Sequence, residues 1–158
     1  MTLDDLGNLG EIVGALAVIV SVAYLAIQIR QNTRSLRASA FHNLSNSVAN
    51  FLGTVAHDSE LSSIFMRGLA RWRDLTPEES QRFALLMMNL FSLHANAYHQ
   101  HAQGALESEA YKGVRMTLAR IACSPGGASW WRHTKHIFSP DFVAFVERDM
   151  ARVQQRDD

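Results

Sequence analysis

"EIVGALAVIVSVAYLAIQIRQNTRSLR", residues Glu11–Arg37, decides the architecture. From Ile12 to Ile27 it carries neither a charge nor an amide, and Gln28 and Ile29 extend the stretch to eighteen residues. At about 1.5 Å per residue this is a helix of roughly 27 Å, close to the ~30 Å hydrocarbon core of a bilayer. A helix buried on one side only of a soluble bundle shows a polar stripe. None runs between Ile12 and Ile27. The pattern predicts a transmembrane helix. The competing reading is a soluble helical bundle in which residues 12–27 are the buried helix.

The flanks give a direction. Asp4, Asp5 and Glu11 precede the run, and Arg30, Arg34 and Arg37 follow it on one helical face. Basic residues mark the cytoplasmic side, so these arginines are expected to anchor at the headgroups, with the short acidic N-terminus outside. An acidic flank also argues against a cleaved secretory signal. Residues 1–29 are thereby expected to form the tail and transmembrane helix, and residues 30–158 a helical cytoplasmic domain. Gly10, Gly14, Ala17 and Ser21 recur at four and three along one face of the run. Small residues let helix backbones approach closely in lipid. This face is expected to pack against a second copy or another membrane-protein subunit.

Beyond Arg30 the helical pattern continues. Leu36, Ala40, Leu44, Val48, Phe51 and Val55 keep a three-and-four spacing, which predicts one helix from about Glu11 to Ala56 with a solvated Asn/Ser-rich face. Asp58 or Ser59 caps a second helix that buries Leu61, Ile64, Phe65, Leu69 and Trp72. In "TPEE", Thr76 caps, Pro77 takes the first turn and Glu79 closes a capping box. The third helix aligns Phe83, Met87, Leu90, His94, Ala97 and His101, and Gly104 stops it. A fourth spans Ser108 to Cys123 with Tyr111, Val114, Leu118 and Ile121 inward. "SPGG" and "SPDF" each begin a helix, with Ser124 and Ser139 as N-caps. The fold class is all-α: an N-terminal transmembrane helix continuing into a bundle of about five helices.

The opening segment from Leu6 to Ala40, with "WW" at Trp130–Trp131 and "FSPDF" at Phe138–Phe142, resembles an uncharacterised family of short bacterial membrane proteins. The expected location is the bacterial inner membrane; the resemblance implies a membrane helix and a helical cytoplasmic domain. It implies no activity.

Chemistry is sparse. Fifteen basic and fifteen acidic side chains leave no global field to draw nucleic acid. Cys123 is the single cysteine, so no intrachain disulfide forms. No base and orienting group accompany it, and it reads as a small core filler. His94 and His101 share one stripe, but seven residues set their Cα atoms about 10.5 Å apart, too far for one ion without ligands between them. His133 and His136 have usable spacing but no third ligand, and "WRHTKH" reads as an aromatic–basic surface. Trp72 and one of Trp130–Trp131 are expected to be core anchors, with the neighbouring charges solvated. No catalytic residue, cofactor or metal is assigned. The leading expectation is a non-enzymatic accessory or scaffolding subunit. The alternative is a membrane-anchored ligand or metal sensor or enzyme with a pocket near His94 and His101.

Overall fold

The structure, a computed structural model, describes the backbone of residues 3–157 and the side chains of residues 11 and 13–155. The first residues of the expected tail and the surroundings of Gly10 lie outside the described residues. The described chain is all-α and contains no strand. Its helices are α1 (Leu3–His57), α2 (Ser59–Arg71), α3 (Pro77–Ala102), α4 (Ser108–Cys123), α5 (Pro125–Thr134) and α6 (Pro140–Asp157). Single 3-10 turns, Trp72–Asp74 and Lys135–Ile137, follow α2 and α5. The chain divides into two compact units, residues 1–39 and 40–158.

The first unit is helix alone. Its large apolar side chains between Val13 and Ile29 are exposed, from 55 % at Ile27 to 66 % at Val20. Such values mean that each side chain touches only its own helix. The polar groups are satisfied locally: Ser21 Oγ donates to the Ala17 carbonyl at 2.8 Å, and Gln28 Nε2 donates to the Tyr24 hydroxyl at 2.8 Å. Back-bonding of this kind lets a hydroxyl sit in an apolar surrounding without stranding its donor. The described residues 13–27 are thus exposed along this unit. Leu36, expected on the buried stripe, is also exposed.

In the second unit, Leu44 and Phe51 of α1 are buried, with Val48 and Val55 packed beside them. The core centres on Phe83, Met87 and Phe91 of α3, Ile64 of α2, Trp130 of α5, and Phe142 and Val146 of α6, all essentially inaccessible. Phe91 lies between the two tryptophans, 5.0 Å from Trp130 and stacked 4.9 Å from Trp131. Both tryptophans are thus core residues, where one of the two was expected to be, and Arg132 and His133 beside them are exposed. A ring wedged at Phe91 needs apolar faces on both sides, and adjacent residues on α5 supply them.

The predicted caps explain where the helices start. Asp58 accepts from the amides of Glu60 and Leu61. Thr76 and Glu79 form the full capping box. Glu79 also pairs with Arg67; that hydrogen bond, with the Thr76 amide, holds its carboxyl well below the usual range, at about 2. Gly104 adopts φ +72°, a left-handed conformation that suits glycine just past the end of α3. Ser124 caps α5 by accepting from the Gly127 amide at 3.1 Å. Ser139 precedes α6 as expected, but its hydroxyl is buried without a hydrogen bond.

Two close approaches were not legible. A Cβ on Gly126 of α5 would lie 1.7 Å from the Gly68 carbonyl oxygen of α2, and one on Gly68 would lie 2.2 Å from the Phe83 ring. Gly126 of "SPGG" and the lone glycine of α2 are therefore a helix-crossing contact.

Candidate functional site

Of the small-residue face, Gly14 has no atom within 4 Å of where a Cβ would stand, and Ala17 and Ser21 are exposed. Arg30, Arg34 and Arg37 are exposed and form no ion pair among the described residues. Both features are thus presented outward from the first unit's helix. They meet no side chain of the unit.

The histidines are engaged with backbone. His94 is 4 % exposed; Nδ1 lies 2.7 Å from the Leu90 carbonyl oxygen and Nε2 3.1 Å from that of Val114. A neutral ring donates at one of these contacts and an imidazolium at both. Burial nevertheless pushes the His94 pKa down, against the pull of the two carbonyls. The ring ties α3 to α4 and directs no nitrogen toward a ligand. His101 places Nδ1 2.9 Å from the Leu106 carbonyl and stacks on Tyr111 with centroids 4.6 Å apart. His133 is exposed, with Nδ1 2.7 Å from the Ser129 carbonyl and its ring edge-on to Trp72. Among the described residues no three His, Cys, Asp or Glu side chains converge. Cys123 is half-buried, its Sγ 3.5 Å from the Met150 carbonyl.

Sequence reading missed a groove of about 480 Å³ within the second unit, between the C-terminal part of α1 and α3. Leu44, Phe51, Leu86 and Leu93 form its floor. One wall carries Asn43, Ser47, Asn50 and Thr54; the other carries Asn89, Ser92, Asn96 and Gln100. Each set recurs at three and four, so each is a single helical stripe. The Asn/Ser face of α1, expected at Asn43, Ser45, Asn46 and Asn50, is exposed, and Asn43 and Asn50 of it also line this groove. The matching stripe on α3 was the available signal. No charged side chain lines it. The hydroxyls of Ser47 and Thr54 donate back to their own helix, and Gln100 Nε2 donates to Asn96 at 3.2 Å. Gln100 Oε1 is left buried without a donor.

A second feature joins α4 to α6. Arg115 donates through Nε and Nη2 to the two carboxylate oxygens of Asp149, each at 2.5 Å. Arg152 donates through Nη1 to the same Oδ1 at 3.3 Å. Asp149 is 5 % exposed, and the Arg115 guanidinium sits 5.5 Å over the Phe145 ring. The hydrogen bond to Asp149 raises the Arg115 pKa, with burial opposing it. Bidentate, charge-assisted pairing of this kind fixes both groups in one geometry. No local periodicity announces it, because its partners lie 34 residues apart.

The arrangement offers an exposed apolar helix, an uncharged groove and a clamped guanidinium–carboxylate pair, and no nucleophile–base set converges among the described residues. Compared with known proteins, the chain matches no protein-family model, no curated protein and no solved structure.

Proposed function

We propose that this chain is a single-pass protein of a bacterial inner membrane, with its N-terminus outside and its helical domain cytoplasmic. Its role is that of a non-enzymatic accessory or scaffolding subunit. The carrying observation is the uncovered apolar surface from Val13 to Ile29. At about 25 cal/mol per Å², leaving ten large apolar side chains in water costs on the order of 20 kcal/mol. The unfolded chain exposes the same surface, so this figure is the gain open to whatever covers the helix and not a loss of folding stability. α1 is long and apolar enough over this part to cross a bilayer. The resemblance of the opening segment to short bacterial membrane proteins supports the same reading. The basic side chains Arg30, Arg34 and Arg37 support the orientation.

Full-length protein is expected to remain in the membrane pellet after carbonate and high-salt washes. A chain lacking residues 1–29 should move to the supernatant. Recovery of the full-length chain in the wash would overturn the anchoring.

Self-association, or docking on a larger membrane complex, is the second half of the proposal. Gly10, Gly14, Ala17 and Ser21 are its face. The same alternation of three and four continues through Tyr24, Gln28, Gln31, Ser35 and Ala38, all exposed. In lipid, close backbone approach supplies the packing that drives association. Because a Cβ at Gly14 would have no described atom outside its own helix backbone within 4 Å, Gly14→Leu tests contact with a partner separately from folding. It should abolish crosslinked oligomer or a co-purifying subunit, whereas Val18→Leu should not. Unchanged crosslinking in Gly14→Leu would remove the small-residue face from the mechanism.

A further inference from the structure

The pocket between α4 and α6 has a volume of about 350 Å³. Four cationic side chains, Lys112, Arg115, Arg120 and Arg152, line it together with one carboxylate, Asp149. In a chain whose formal charges balance, this is a local excess of positive charge. Arg115 and Arg152 share one carboxylate oxygen, so Asp149 neutralises only one of the two guanidiniums. Arg120 makes no ion pair among the described residues, and Lys112 has only a 3.9 Å contact to the largely exposed Glu109.

The donors are also oriented. Arg115 uses Nε and Nη2 on Asp149, which leaves Nη1 without an acceptor among the described residues. Arg152 uses Nη1 and keeps Nε and Nη2. A buried carboxylate below and the Phe145 ring beside it hold the Arg115 fork in place before any ligand arrives. Guanidinium forks suit the oxygens of phosphate and carboxylate, and pre-orientation lowers the entropic cost of binding. The remaining wall is apolar: Met116, Ala119 and Val153. A bare inorganic anion would leave that wall in water.

We propose that the α4–α6 pocket binds a phosphate ester carrying a short apolar body, its phosphate held by Arg115, Arg120 and Arg152 and its apolar part against Met116 and Val153. This site is independent of the anchoring proposal, since every residue belongs to the second unit. The same chemistry is offered by a soluble phosphate ester and by an anionic phospholipid headgroup.

The test uses full-length protein in phosphatidylcholine nanodiscs, titrated calorimetrically with n-hexyl phosphate and with inorganic phosphate. Hexyl phosphate should bind with a Kd below about 1 mM and more tightly than inorganic phosphate. Arg120→Ala and Arg152→Ala, both exposed positions, should each weaken it about tenfold. Arg132→Ala, an exposed arginine outside the pocket, should leave it unchanged. Adding phosphatidic acid to the nanodiscs separates the two sources. Weakened hexyl phosphate binding upholds the site with a lipid headgroup as occupant, and unchanged binding upholds it with a soluble ester. No binding of hexyl phosphate, or equal loss in Arg132→Ala, overturns the proposal.

Discussion

Gly126→Ala should lower the unfolding midpoint of the helical domain by about 10 °C, from a loss of about 3 kcal/mol or more. The added methyl would stand 1.7 Å from the Gly68 carbonyl oxygen and 2.8 Å from its carbonyl carbon. Both are backbone atoms of a helix, so no rotamer change relieves the overlap. α2 and α5 must separate, which loosens Ile64 and Phe65 on one side and Trp130 and Trp131 on the other, all in one core. Gly68→Ala should also destabilise strongly, because the fully buried Phe83 ring occupies the space its methyl needs. The control is Gly113→Ala in α4, where nothing lies within 4 Å. That change removes a flexible residue from a helix interior and should stabilise by roughly 0.5–1 kcal/mol. Thermal melts followed by circular dichroism decide the matter. A Gly126→Ala midpoint within a degree or so of wild type would show that α2 and α5 do not cross this closely.

The contrast between these glycines shows what the sequence could carry. Helix starts were legible wherever a side chain meets its own backbone: Asp58, Thr76 with Glu79, and Ser124 each bond within three residues. The limits of α4, Ser108–Cys123, match the expected span although Glu107 before it makes no side-chain cap bond. Stripes at three and four correctly placed Leu44, Phe51, Ile64, Phe83, Met87 and Leu118 in the core. Leu36 fits its stripe equally well yet is exposed, because periodicity orders a helical face without saying how far along the helix a partner extends. What stayed illegible is tertiary. The Gly68–Gly126 approach joins residues far apart in sequence, and the two Asn/Ser stripes become a groove only once α1 and α3 lie side by side. Ser139 repeats the Ser-Pro device of Ser124, yet only Ser124 uses its hydroxyl as a cap.

The Arg115–Asp149 pair gives the second large effect, because its two ends differ in exposure. Asp149 is 5 % exposed, whereas the side chains of Arg115 and Arg152 are 36 % and 61 % exposed. Arg115→Ala removes the bidentate partner and strands a buried carboxylate, whose one remaining cation is Arg152 at 3.3 Å. Breaking a buried pair from one side costs about 3–5 kcal/mol; partial solvent access at Arg115 sets the expected loss near about 3. The contact with Phe145 is lost as well. Arg152→Ala should cost no more than about 1 kcal/mol, since it deletes a solvated, single hydrogen bond. The diagnostic variant is the double change Arg115→Met with Asp149→Leu. It removes both charges and leaves nothing buried and unpaired, so it should recover most of the stability lost in Arg115→Ala. Denaturant midpoints for this double variant and for its two single changes, Arg115→Met and Asp149→Leu, form a double-mutant cycle that isolates the pair. Equal losses in Arg115→Ala and Arg152→Ala would mean that Asp149 is held by water and not by the Arg115 fork. Recovery in the double variant, with loss of hexyl phosphate binding, would show that the pair serves the anion that Arg115 binds and not the stability of the fold.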